Sequence, residues 1–306
     1  MNEKNQQAST PADEQISSES QKLGKVSPLD ELFRATLAYR RSQAYFDLMK
    51  FISRFPKYAP FNCFLLHTQN PRLSYVATPV QWWSDFERKI KPDSRPMVIL
   101  VPFGPVSFVY DLADTEGKRL PRQLERPYET LGDHVPETVW YNTRRNCEEK
   151  DRISILTKEF SPLQAGIATS NQSAVTVGSQ KLRAKRMVQL NSRHTPDEQY
   201  VTLAHELAHI HCGHIGGDPD GWWPDRRRLG LQKMEFEAES VSFLVCSRLR
   251  LKTTAAEYLA WYTNNNEIIP DVSLETILKV SGYIESLGQK ELEPRKSKAA
   301  TAANRP

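Results

Sequence analysis

Cysteine is scarce in this chain of 306 residues. Its four cysteines are scattered, with no C-x-x-C pair, as Cys63, Cys147, Cys212 and Cys246. This usage is typical of a reducing compartment and argues against a secreted protein held together by disulfides. Cys212 and Cys246 lie near the most informative motif in the sequence. Burial as a small apolar thiol is a more common role for such residues than metal ligation.

Long apolar runs are also missing. No stretch approaches the roughly 18 residues that a membrane-spanning helix needs. The segment from Met1 to Gln7 contains no apolar signal-peptide core. We therefore expect a cytoplasmic protein with no membrane partner. The net charge of +4 is mildly basic and does not by itself decide whether the chain binds nucleic acid.

Large apolar side chains are nearly absent from both ends of the chain. Residues 1–26 and 289–306 are rich in small, polar and charged residues, and we predict that both are disordered tails, the second one basic. Residues 118–136 are polar and interrupted by proline, which indicates a linker or long loop. Folded domains are then expected at 27–117 and 137–288, the first a small α+β module.

Hydrophobic periodicity and turn signals predict the main elements. Helices are expected at Asp30–Phe55, Phe61–His67 and Val80–Ile90, and later ones begin at the capping residues Thr254 and Ser273, the last reaching about Leu287. Short strands are expected at Tyr75–Thr78, Met97–Pro102, Val106–Leu112, Ser154–Leu156 and Val175–Val177.

The strongest signal is the segment His205-Glu206-Leu207-Ala208-His209, an H-E-x-x-H sequence. A helix is predicted to begin just before it, because Thr195, Pro196 and Glu198 form a capping box with proline at the first position. Residues four apart on a helix share a face, so the two imidazoles can bind one zinc ion while Glu206 acts as general base on a water. The alternative is a helix that carries these residues by chance.

A catalytic zinc site needs a third protein ligand. In the pattern H-E-x-x-H-x-x-G-x-x-H the last histidine would stand at Ile215, so His214 is one residue early. An acidic stretch downstream supplies Glu235, Glu237 and Glu239. Glu235 and Glu239 share a helix face and Glu237 lies nearly opposite, which favours Glu235 as ligand and Glu239 behind it, accepting a proton from a ligand histidine. An exposed acidic face is the alternative reading of this triplet.

The sequence H-E-L-A-H followed by E-x-E-A-E-x-x-x-F-L resembles the ImmA/IrrE-type zinc metallopeptidases over about residues 195–250. The resemblance implies a zincin-like domain of the gluzincin type, with one zinc ion on His205, His209 and Glu235 and with Glu206 as general base. Glu237 is acidic where the family tolerates glutamine, and it stays the second candidate for the third ligand. Several family members cut or control transcriptional repressors, so the implied substrate is an intracellular regulatory protein such as a repressor.

A second resemblance covers about residues 43–112. The sequence Phe61-Asn62-x-x-Leu65-Leu66, an aromatic helix, the segment Lys89-Ile90-Lys91-Pro92 and a hydrophobic hairpin look like the single-strand-DNA-binding module of ArdC-type antirestriction proteins, which also carry a zincin-like C-terminal domain. Stacking of bases on exposed rings, with cations along the phosphates, would use Trp83, Lys89 and Lys91, with Trp82, Arg88 and Arg95 as further candidates. In the alternative reading, Trp82 or Trp83 is a core residue and the lysines are a solvated rim.

Two functions therefore compete. The first is a zinc metallo-endopeptidase, and the second is a single-strand-DNA-binding protein whose zincin-like domain is structural or dormant. Glu206 favours the first, because a purely structural site needs ligands but no general base. The donor that would stabilise the tetrahedral oxyanion stays open among Tyr200, His194 and His214.

Overall fold

The computed structural model describes residues 27–35, 39, 41–102, 104, 106–119, 134–161, 164–170, 174–251 and 253–295. The predicted tail at 1–26, most of the predicted linker and the end of the C-terminal tail from 296 onward lie outside these residues. Within them, no helix is both long enough and apolar enough to cross a membrane.

The described chain contains both helices and short strands. The helices are α1 (Pro28–Ala35), α2 (Ser42–Ser53), α3 (Pro60–Gln69), α4 (Pro79–Phe86), α5 (Glu137–Glu149), α6 (Pro196–His211), α7 (Leu231–Arg248), α8 (Thr254–Asn265) and α9 (Leu274–Gln289). The strands are β1 (Val76–Ala77), β2 (Arg88–Ile90), β3 (Met97–Ile99), β4 (Ser107–Asp111), β5 (Thr115–Gly117), β6 (Ile153–Lys158), β7 (Gly166–Thr169), β8 (Ala174–Val177), β9 (Gln180–Arg183) and β10 (Arg186–Asn191). This mixed composition confirms the predicted α+β class.

The sheet nearest the H-E-x-x-H helix has the strand order β6-β10-β7. The central strand β10 runs parallel to β6 and antiparallel to β7, with Val188 opposite both Ile155 and Ala168. Val188 and Leu190 of this strand belong to the main hydrophobic core, and Met187 is also buried. Among the described residues β7 pairs on one side only, so its other edge is open.

The N-terminal strands form two further sheets, one of three strands and one of two. β4 lies between β1 and β3, antiparallel to both, and this confirms the predicted hairpin and the short strand before it. The predicted helix from Val80 to Ile90 is wrong beyond Phe86. Glu87 takes a left-handed conformation with a φ of 50°, which ends α4. The next three residues form β2 and pair with β5 instead, so the element is a helix followed by a strand.

The single helix predicted from Asp30 to Phe55 is interrupted at Arg41. This residue precedes α2 in an extended conformation and pairs with Ile268 in an isolated bridge. The last helices agree better with expectation. Ser273 accepts a hydrogen bond from Thr276 at the start of α9, and the cap of α8 lies at Thr253, one residue before the predicted position.

The N-terminal helices share one hydrophobic core with the helices of the H-E-x-x-H region. The Tyr45 ring on α2 lies 5.3 Å from the Phe236 ring on α7, and its hydroxyl donates to Ser240 at 2.9 Å. Arg248, at the end of α7, donates to the backbone carbonyls of Ile52 and Phe55. The helix that carries the acidic triplet is therefore packed directly on α2, and the domain boundaries named above stay a prediction.

Candidate metal centre

The helix α6 begins where the sequence predicts. Thr195 accepts a hydrogen bond from the Glu198 backbone, while the Glu198 carboxylate accepts from the backbone and hydroxyl of Thr195. Pro196 holds the first helical position. This reciprocal cap satisfies two backbone donors that a helix start leaves open. It also fixes the register of α6, and with it the face on which His205 and His209 lie.

Three side chains converge between α6 and α7. The Nε2 atoms of His205 and His209 are 3.0 Å apart, and each lies 3.6 Å from a different oxygen of the Glu235 carboxylate. These distances fit a zinc ion, because bonds of about 2.0–2.1 Å in a tetrahedral site place ligand atoms roughly 3.3 Å from each other. The three residues form a group that could hold a metal ion.

This group is partly open to solvent. The exposed fraction of the side chain is 40% for Glu235, 22% for His205 and 14% for His209. A catalytic zinc site keeps one position for water or substrate, whereas a structural site is closed by four protein ligands. Three protein ligands with access from one side match the first arrangement.

Electrostatics in the group follow from its close contacts. The hydrogen bonds with His205 and His209 hold the pKa of Glu235 far below its usual range, so Glu235 is a carboxylate. Burial raises the pKa of Glu206, and the two histidines oppose that effect only in part. Burial also raises the pKa of Glu239, whose Oε1 lies 3.5 Å from Nδ1 of His205.

Glu206 itself lies beside the open edge of the β6-β10-β7 sheet. Hydrogen bonding from the Ala168 backbone on β7 favours the charged form of the Glu206 carboxylate. The helix α6 packs against both β7 and β10, which holds this carboxylate near the strand. The expected general base thus lies close both to the metal-ligand group and to the strand β7.

Glu237 is placed away from the three-residue group. Its carboxylate is fully buried and accepts from Arg226 at 2.6 and 2.7 Å and from the Ser273 backbone at 3.0 Å. His214 Nε2 lies 3.0 Å from the same carboxylate. Hydrogen bonds from His214 and Arg226 outweigh burial and lower the pKa of Glu237. Its position nearly opposite Glu235 is the one that the helical spacing indicates.

His214 reaches this place because the chain turns sharply after α6. Gly213 has a φ of 81°, and a Cβ built on it would lie 2.1 Å from the carbonyl oxygen of Pro224. Glycine is therefore required there by both the conformation and the space. The His214 backbone then donates to the carbonyl of His209 at 2.9 Å, which folds the His214 ring back against the helix end.

The three residues considered for oxyanion stabilisation do not belong to the metal-ligand group. Tyr200 is buried with its ring 5.6 Å from Trp140, and His214 is enclosed between His209 and Glu237. His194 precedes α6, about three helical turns from His205. A hydroxyl that sequence reasoning did not single out belongs to Tyr258 on α8. Burial is the main cause that raises the pKa of Tyr258, and the negative charges of Glu239 and Glu235 raise it further.

The candidate DNA-binding residues of the N-terminal part are divided between core and surface. Trp82 is fully buried and donates to the Tyr110 carbonyl, so it is a core residue. Trp83 is 58% exposed, and Lys89 Nζ lies 5.5 Å from the centre of its ring. Lys91 donates to the Ala113 carbonyl at 2.8 Å. Trp83 and Lys89 thus form one small surface group.

Residues 165–265 match the IrrE N-terminal-like domain of the M78 peptidase family. This segment contains β7, α6, α7 and α8, and hence all three residues of the metal-ligand group. The match confirms the resemblance to the IrrE-type proteins over about a third of the chain and supports a metallopeptidase-type function in a zincin-like domain.

A solved structure is also similar, although more distantly. It is the antirestriction ArdC protein from plasmid R388 in a Mn(II)-bound form, with 16% sequence identity and a TM-score of 0.35. The similarity covers 76% of this chain and 83% of that one. No curated protein sequence matches this chain.

Proposed function

We propose that this protein is a zinc-dependent metallo-endopeptidase, with the ion on His205, His209 and Glu235. The observation that carries the proposal is the placement of two Nε2 atoms and one carboxylate at mutual distances of 3.0 to 3.6 Å, beside a fourth residue, Glu206, that has no ligand role. The donors in this set, two imidazoles and a carboxylate, are those of catalytic zinc sites.

When bound, zinc would lower the pKa of a water molecule toward neutrality and polarise the scissile carbonyl. Glu206 accepts the proton of the attacking water on its carboxylate and later gives it to the leaving amine. Burial raises the pKa of Glu206 and so brings it closer to the working pH. This suits both steps, because a general base that later acts as an acid must both accept and release a proton.

We expect the substrate backbone to bind along β7. This strand is at the edge of its sheet among the described residues, and Ala168 on it lies next to Glu206. An extended peptide that adds to such an edge is held by main-chain hydrogen bonds. A peptide bond bound in this way would lie between Glu206 and the metal ligands. Binding through main-chain hydrogen bonds would depend little on the substrate side chains.

The substrate class rests on the family resemblance. Members of the ImmA/IrrE group act on intracellular regulators, so we propose an intracellular regulatory protein as the substrate, with a transcriptional repressor as the first protein to examine. A cytoplasmic location is part of the same proposal.

The deciding variant is Glu206→Gln. The amide is nearly isosteric and Glu206 is not a ligand, so the zinc content and the fold should be unchanged while cleavage is lost, because an amide does not accept the proton at neutral pH. The proteomes of cells that express wild type or Glu206→Gln would be compared for fragments found only with wild type. Equal biological effects of the two proteins, with no such fragment, would contradict hydrolysis.

Single-strand-DNA binding is the second candidate function. It is supported by the exposed Trp83 ring with Lys89 beside it, since a stacking surface next to a cation is the basic unit of sequence-tolerant binding. In that case the zincin-like domain would have a structural or dormant role.

A further inference from the structure

His209 lies at one end of a continuous line of hydrogen-bonding groups. Its Nε2 faces His205 and Glu235, and its Nδ1 lies 3.0 Å from Nδ1 of His214. On the other side of the His214 ring, Nε2 lies 3.0 Å from Oε2 of Glu237. The line ends at Arg226, which donates to both Glu237 oxygens.

We infer that His214 and Glu237 are positioning residues that fix the tautomer and the ring orientation of the metal ligand His209, an inference that rests on the zinc site proposed above. They touch neither substrate nor metal in this scheme. They act through the second nitrogen of a ligand histidine, whose partner determines which nitrogen is left free for the metal.

The Glu237 carboxylate sets the direction of the hydrogen bonds along the line. Glu237 accepts from three donors, two on Arg226 and one on the Ser273 backbone, so its carboxylate is an acceptor toward His214 as well. His214 must therefore carry its proton on Nε2 and present a lone pair on Nδ1. His209 then donates from its own Nδ1, and its Nε2 lone pair is directed at the metal-ligand group.

The cluster could instead be taken for a second metal site, since Cys212, His214 and Glu237 lie close enough to share an ion. Arg226 argues against that reading. Its guanidinium occupies both carboxylate oxygens, at 2.6 and 2.7 Å, and it also donates to the Cys212 carbonyl. A fixed cation in that position repels a metal ion and already neutralises Glu237. All three residues are buried as well, whereas His205, His209 and Glu235 are partly open.

The two ligand histidines are thus supported in parallel ways from the same helix. His205 has Glu239 directly behind its Nδ1, and His209 has Glu237 behind its Nδ1 with His214 between them. The three glutamates of the α7 sequence then have three distinct roles around one site. Glu235 is the ligand, and the other two orient one histidine each.

The first test compares His214→Leu with His211→Leu. His211 is the matched control, because it is also buried near the end of α6 but contacts Asp151 and Tyr283 instead of the ligand group. The apparent zinc affinity of the metal-free proteins would be measured by competition with a chelating dye, alongside melting curves. We expect His214→Leu to lose about 10- to 100-fold in affinity, and His211→Leu to keep the wild-type affinity. Equal affinities of the two folded variants would overturn the inference.

The second test needs no variant and no zinc. Long-range ¹H–¹⁵N correlation spectra of the metal-free wild-type protein report which ring nitrogen of each histidine carries the proton. We expect Nδ1–H for His209 and Nε2–H for His214. A His209 ring with a proton on Nε2 and none on Nδ1, or a proton on Nδ1 of His214, would overturn the inference. Absence of zinc binding by the wild-type protein would instead contradict the proposed peptidase function. The spectra would still decide the proton assignment in that case. They would also decide it if His214→Leu does not fold.

Discussion

Oε1 of Glu239 lies 3.5 Å from Nδ1 of His205, on the side of the imidazole away from Glu235. This contact places the carboxylate where it can accept the Nδ1 proton and leave Nε2 free for a metal. Substitution of such a partner usually lowers metal affinity less than substitution of a ligand does. Separate variants of Glu235 and Glu239 can therefore show which of the two is the ligand.

We predict that Glu235→Ala removes or nearly removes zinc binding, because it deletes one of three ligands. Glu239→Ala should weaken binding by only about 10- to 100-fold, since all three ligands remain. Zinc content after dialysis and competition with a chelator would give both values. A larger loss from Glu239→Ala than from Glu235→Ala would show that the ligand assignment on α7 is wrong.

Zinc should also stabilise the fold. A ligand that binds only the native state at about 100 times its Kd adds about 2.7 kcal/mol, which for a chain of this size raises Tm by roughly 4 °C. Chelation of the wild-type protein should therefore lower Tm by that amount, and zinc should restore it. His209→Ala is the control, with a Tm that does not respond to zinc. Identical wild-type melting curves with zinc and with chelator would contradict a native-state site.

The Trp83 surface gives a prediction for the second candidate function. If the N-terminal part binds single strands, affinity for an oligonucleotide should fall with salt, and Trp83→Ala should cost about 1–3 kcal/mol. Val80→Ala, another exposed apolar residue of α4, is the control and should change little. Fluorescence anisotropy at low and high salt measures both. No binding at low salt would leave this surface without a nucleic-acid role.

The sequence predicts α6 best because local signals agree there. Thr195, Pro196 and Glu198 determine its start, and the spacing of His205 and His209 determines its functional face. The position of Glu237 away from Glu235 also follows from helical geometry. Its partners do not, because His214 is brought to it by the turn at Gly213, and Arg226 and Ser273 come from separate segments.

Elements with weak local patterns could not be predicted. The strand β10 begins at Arg186, a charged residue whose type gives no sign of a buried strand. Its side chain is buried and donates to the carbonyls of Gly216 and Gly217. Helix α5 is mostly polar, so its periodicity gives little signal. The strand β2 forms by pairing with β5, a strand that is distant from it in sequence.

Arg248 has a consequence for the size of the cooperative unit. Besides Ile52 and Phe55, its guanidinium binds the carbonyl of Tyr58, so the end of α7 closes the end of α2. A fragment cut to the peptidase-like segment 165–265 would keep His205, His209 and Glu235 yet lose these acceptors, and it would also lose Glu285, the ion-pair partner of the buried Arg248. Ligand geometry at Glu235 would then depend on residues more than a hundred positions upstream, which makes the N-terminal helices part of the scaffold for the chemistry.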